Sequence, residues 1–115
     1  MSTVIRMREE LPDDGTAVAV LDGELDASSV GQVAVKLRRM VENRQHRLIV
    51  DLTKVTYLDS AGINLLFAVG GEVRARQQEL HLVVAPDSPI RRMLVIVGAD
   101  RSFPVHPSLA EALAS

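Results

Sequence analysis

A chain of 115 residues is long enough for one domain and short for two, so a single domain over residues 1–115 is expected. Its 47% hydrophobic content can fill a core, which Val, Leu, Ile and Ala must build because Tyr57, Phe67 and Phe103 are the whole aromatic set. A formal charge of −2 and the missing stacking surface argue against nucleic-acid binding, and the lack of cysteine removes disulfides and thiolate metal sites.

Val4 to Glu10 reads as an edge strand with Ile5 and Met7 on one face, and Pro12-Asp13-Asp14-Gly15 reads as a hairpin-type turn. Ala17-Val18-Ala19-Val20-Leu21 is a continuous apolar run, as expected of a strand covered on both faces or nearly so. Gly23-Glu24-Leu25-Asp26 ends it. A helix follows, capped by Asp26 or Ser28, with Val30, Val33, Ala34, Leu37, Met40 and Val41 at helical spacing. Arg47 to Leu52 form the next apolar strand, and a helix from about Ser60 to Gln77 comes after the Asp59-Ser60 turn. Gly70-Gly71 sits awkwardly inside that helix, at about 1 kcal/mol per glycine relative to alanine. Close helix–sheet packing or a hinge would account for the pair.

Leu80-His81-Leu82-Val83-Val84 reads as a strand of the parallel type, with His81 facing outward. Pro89 suits a first helical position before Ile90, Met93, Leu94 and Ile96, and Gly98 stops that helix. Phe103-Pro104-Val105 suggests a short edge strand, and Ser108 caps a last helix. Right-handed crossovers with strands added in one direction put the helices mainly on one face of a small mixed sheet of about five strands, an α/β fold. The carboxyl ends of the parallel strands then share one edge. Asp26 and Ser60 become neighbours there, on the edge where ligands of open parallel sheets bind.

Ser60 opens a helix. A phosphate there would meet unpaired N–H groups and the positive end of the helix dipole, so the terminus should hold it comfortably. Phosphorylation adds about −1.5 to −2 charges at neutral pH, which makes this hydroxyl a candidate switch. A plain capping role is the alternative reading of the same residue. Catalytic patterns are missing: there is no glycine-rich phosphate loop, no Gly-x-Ser-x-Gly elbow and no base placed beside Ser60 by sequence. His46, His81 and His106 are far apart in sequence and none has a metal-ligand neighbour at i+2, i+3 or i+4, so neither a metal nor a cofactor is expected. The first residues carry no signal-peptide core, and no run approaches the ~18 apolar residues of a membrane span. A soluble cytoplasmic protein with no membrane contact is the expectation.

Gly23-Glu24-Leu25-Asp26, Leu48-Ile49-Val50-Asp51-Leu52, Tyr57-Leu58-Asp59-Ser60-Ala61-Gly62 and the tail from Gly98 to Val105 together resemble the STAS domain family, in particular bacterial anti-sigma factor antagonists. The resemblance covers nearly the whole chain in the right order. It implies regulatory binding rather than catalysis: such antagonists bind a serine-kinase anti-sigma factor and release its sigma factor. The kinase phosphorylates the serine of the Asp-Ser motif, which aligns with Ser60, and a PP2C-type phosphatase reverses the modification. Where many members carry a second hydroxyl, this chain has Ala61, so the resemblance implies no adjacent acceptor. The partner-binding residues it implies are Asp26, Asp59, Ser60, Ala61 and Gly62, with no direct nucleic-acid partner. It also admits a second role, as a stand-alone scaffold subunit of a transporter ATPase or a stressosome-like assembly.

Overall fold

The computed structural model describes residues 5–13, 15–42 and 46–115. The described residues form five strands, β1 (Arg6–Asp13), β2 (Thr16–Leu25), β3 (Arg47–Leu58), β4 (Glu79–Val83) and β5 (Val105–His106), of which the central three are built on β-branched and aliphatic runs. They lie side by side in chain order, with β1 antiparallel to β2 and the remaining pairings parallel. Helices α1 (Val30–Glu42), α2 (Ser60–Ala75) and α3 (Pro89–Ile96) join them, α4 (Ala99–Ser102) is a single turn, and α5 (Leu109–Ala114) ends the chain.

Alternation along the strands sorts the core into two layers. Ala17, Ala19, Leu21, Leu48, Val50, Leu52, Leu80 and Leu82 point to the face where α1, α2 and α3 bury Val33, Leu37, Leu66, Val69, Ile90 and Leu94. Val18, Val20, Ile49 and Val83 point the other way and pack with Leu109, Ala112 and Leu113 of α5. The helices are therefore mainly on one face, with α5 alone behind the sheet. That second layer explains why Ala17–Leu21 is apolar without interruption.

Several boundaries differ from expectation. β3 runs on to Leu58, because Val55 and Leu58 remain buried and pair with Gly23 and Leu25 after register shifts between Val20 and Asp22 and between Gly23 and Glu24. Gly23 takes φ 128°, a conformation that favours glycine, and this permits the second shift. β1 begins at Arg6 and continues to Asp13, with a shift after Glu10, so Pro12 and Asp13 are in strand rather than turn. Val4 and Asp14, which belong to the expected strand and turn, lie outside the described residues. The last strand starts at Val105, since Phe103 turns into the core against Gly70 and Phe67, the two rings 5.5 Å apart.

His81 does not face outward. It is buried, its Nδ1 lies 2.9 Å from Nε2 of His106 and its Nε2 lies 2.9 Å from Glu79 Oε1. The strand's alternation does point it away from α1–α3, but β5 and α5 cover that side.

Candidate functional site

The β2–α1 and β3–α2 loops meet at the carboxyl edge of the parallel strands, as the chain order required. Leu25 pairs with Leu58, so the loops leave the sheet side by side, and the Asp59 N–H donates to the Leu25 carbonyl at 3.4 Å. Gly62 is what allows α2 to start so close to β2. A Cβ at that position would come within 2.7 Å of the Leu25 carbonyl oxygen and 2.5 Å of Leu58 Cδ1.

Asp59, not Ser60, caps α2. Its Oδ1 accepts the N–H groups of Ala61 at 2.9 Å and Gly62 at 3.1 Å, and its carbonyl accepts from Ile63 at 3.0 Å. Ser60 is the first helical residue and is exposed, and among the described residues its hydroxyl makes no hydrogen bond. The plain capping reading thus belongs to its neighbour. The terminus is also not vacant: the amides of Ala61 and Gly62, on which a phosphate was expected to rest, already serve a carboxylate.

Across the edge, Asp26 does not cap α1, which begins only at Val30. Its Oδ1 accepts the Ser28 N–H at 3.0 Å and the Ser28 hydroxyl at 2.6 Å. That hydroxyl holds the Asp26 carboxyl below its ordinary pKa of 3.8, so the loop presents a fixed negative charge. Ser29 is the buried member of this loop. Its Oγ accepts the Asp26 N–H at 3.0 Å and donates to the Glu24 carbonyl at 2.8 Å, which ties the turn to the end of β2. Asp59 Oδ2 joins the two loops by accepting the Ala27 N–H at 3.3 Å.

Asp26, Asp59, Ser60, Ala61 and Gly62 are therefore brought to one edge. Reasoning from sequence missed Tyr57 as a surface residue. It is 51% exposed, opposite Glu24 on the strand that leads into Ser60. The signal was available in Leu58: it faces the core, so strand alternation turns its neighbour Tyr57 out, and the register shift at Thr56 is what lets Val55 be buried as well.

Chemically, the edge offers a free hydroxyl between two acidic residues, with no base bonded to it among the described residues. No group of three or more His, Asp or Glu side chains among the described residues is arranged to hold a metal ion. No helix of the described residues is long and apolar enough to cross a membrane. A groove of about 240 Å³ lined by Gly70, Arg74, Leu80 and Phe103 lies at the amino end of β4, on the edge away from Ser60.

A model of the STAS domain matches residues 9–112. The anti-sigma-F factor antagonist RsfB of Mycobacterium tuberculosis is 29% identical over 100 residues, which span 87% of this chain and 80% of RsfB. The crystal structure of an anti-sigma factor antagonist from Mycobacterium paratuberculosis superimposes with a TM-score of 0.86 at 26% identity, covering 96% of this chain and 92% of that one. Bacillus SpoIIAA, an anti-sigma factor antagonist, is 22% identical and shares the fold. Its unphosphorylated form gives a TM-score of 0.78 over 94% of this chain and 93% of its own. Its phosphorylated form gives 0.73 over 95% and 97%. The family match takes in residues of all five strands and both loops of the site, and the chain belongs to the STAS domain family.

Proposed function

We propose that this chain is an anti-sigma factor antagonist acting as one domain over residues 1–115. It binds a serine-kinase anti-sigma factor, so releasing a sigma factor, and is switched off by phosphorylation of Ser60. The observation that carries this reading is the exposed Ser60 hydroxyl, unbonded among the described residues while Asp59 does the capping. A residue with no structural duty at the front of a helix is free to be modified. The names of the relatives support the same reading, and one of them has been solved in a phosphorylated form.

The kinase supplies ATP and the base. Ser60 Oγ attacks the γ-phosphorus, its proton leaves to the kinase, and ADP departs. A PP2C-type phosphatase reverses the step with water and releases inorganic phosphate. The antagonist itself catalyses nothing in this scheme, needs no cofactor, and touches neither nucleic acid nor membrane, working in the cytoplasm. Asp26, Asp59, Ser60 and Ala61 form the partner surface, with Tyr57 as its aromatic contact, a residue type enriched where interfaces gain most of their affinity, while Gly62 is buried against Leu25 and Leu58 and supports that surface from beneath.

Incubation with serine kinases of the same genome and ATP, followed by mapping of the modified residue, tests the reading. Phosphate should appear on Ser60 and disappear in Ser60→Ala. Undiminished incorporation in that variant would overturn the assignment.

A further inference from the structure

Asp59 makes contacts that reach beyond capping. One oxygen serves Ala61 and Gly62 at the start of α2, and the other accepts the Ala27 N–H of the β2–α1 loop. Among the described residues, no other side chain is hydrogen-bonded between the β2–α1 and β3–α2 loops. Ser60 is the next residue in the chain, so a phosphate on it would be forced beside this carboxylate. The two anions repel. They also seek the same donors, because the amides at the start of α2 are the nearest ones to either group. The phosphate brings more charge and three acceptor oxygens against the two of the carboxylate.

We propose that Asp59 is the positioning residue of the switch: phosphate on Ser60 takes over the Ala61 and Gly62 amides and repels Asp59, which then lets go of Ala27. The β2–α1 loop, with the Asp26–Ser28 turn, is thereby uncoupled from α2. Modification of one loop alters the presentation of the other. Two features make the loop responsive. The Ala27 bond is at 3.3 Å the longest of the three that Asp59 accepts with its side chain, and Ala27 itself is exposed, so little else holds that amide. Ser29, by contrast, is buried and bonded to Glu24, which keeps the base of the loop in place and limits the change to Asp26, Ala27 and Ser28.

This inference rests on Ser60 being the modified residue, but its test does not need a kinase. Phosphoserine is placed at position 60 during synthesis, in the otherwise native chain and in Asp59→Asn. Amide exchange is then read at Ala27, Ala61 and Gly62. Asn is itself a good helix cap, so Asp59→Asn keeps an acceptor for α2 while exchanging the oxygen that serves Ala27 for an NH₂ group. Circular dichroism confirms that each protein is folded. In the native chain, phosphoserine should speed exchange at Ala27 roughly fivefold, the loss of one ordinary hydrogen bond, while Ala61 and Gly62 stay protected. In Asp59→Asn, Ala27 should exchange fast already and phosphoserine should add nothing. An unchanged Ala27 rate in the phosphorylated native chain overturns the proposal, and so does an equal acceleration in both backgrounds. Failure of the kinase assay would remove the reading of Ser60 as a physiological switch and leave this measurement interpretable.

Discussion

At the scale of single residues, one carboxylate and one hydroxyl divide the work between them. The Asp59 side chain bonds to the backbone of both loops, whereas the Ser60 hydroxyl bonds to nothing among the described residues. Replacing Ser60 should therefore leave the fold intact and act at the partner surface. Charge at that position adds to Asp26, which Ser28 keeps ionised, and to Asp59, so a partner fitted to a neutral hydroxyl meets like charge and a poorly desolvated group. Ser60→Asp and Ser60→Glu should weaken binding to the kinase at least about tenfold, a loss of ~1.4 kcal/mol. Ser60→Ala should bind as the native chain does. Calorimetric titration of the three variants, with circular dichroism as a folding control, reads this directly. Equal affinity across them would put Ser60 outside the interface and favour a scaffold role.

At the scale of elements, α2 shows how two adjacent glycines come to have opposite meanings. A Cβ on Gly70 would run into the Phe103 ring and approach Leu80 Cδ2 at 3.4 Å, whereas Gly71 faces open space. The helix runs through both without a break, so packing rather than a hinge accounts for Gly70, and nothing in the structure explains Gly71. Gly71→Ala should stabilise the protein by up to about 1 kcal/mol, the difference in helix propensity. Gly70→Ala should destabilise it by about 1–3 kcal/mol, because a buried aromatic ring must shift. Urea unfolding of the two variants separates the cases by sign. Beyond the end of the helix at Ala75 the chain is closed by an unusual residue: Gln77 takes φ 60°, and the N–H groups of Gln77 and Gln78 close back on the carbonyls of Arg74 and Val73. A glycine is the common residue in that role, which is why the sequence alone let the helix run to Gln77.

At the scale of the whole molecule, the sheet is a partition with unequal layers. Three helices cover one side, and α5 covers part of the other with the help of Arg47, whose guanidinium donates to the carbonyls of Ala112 at 2.9 Å and Ser115 at 3.2 Å. Beside that contact, His81 and His106 stack at 5.1 Å. The pKa of His106 is lowered from 6.5, first by burial, then by His81 and Arg47, with Glu111 opposing. A histidine depressed on folding stabilises the native state above its unfolded pKa. That contribution is lost as pH falls through 6.5 towards the folded value. The melting temperature should therefore decline between about pH 7 and pH 5. His106→Gln, which keeps a hydrogen-bonding group and cannot titrate, should flatten the decline. An identical slope in the variant would show that His106 contributes nothing to the pH response.

Apart from the single-turn α4, which the sequence did not reveal, the order of strands and helices, the shared edge of Asp26 and Ser60, and the double-sided burial of Ala17–Leu21 were legible in the sequence. Each depends on local pattern or on chain connectivity: apolar spacing selects the element, and the handedness of crossovers places loop against loop. Contacts between distant segments were not legible. Nothing local tells that Asp59 rather than Ser60 caps α2, since both residue types cap helices well and only the backbone geometry chooses. That Asp59 also reaches Ala27, 32 residues earlier, depends on the spacing of two strands. The extension of β3 to Leu58 needed Gly23 and Leu25 as pairing partners, and the burial of His81 needed β5 and α5, elements more than twenty residues away. Sequence alone determined the principal strands and helices and which loops meet. Tertiary structure decided which atoms in those loops are already bonded, because hydrogen-bond partners are chosen by proximity in space rather than along the chain.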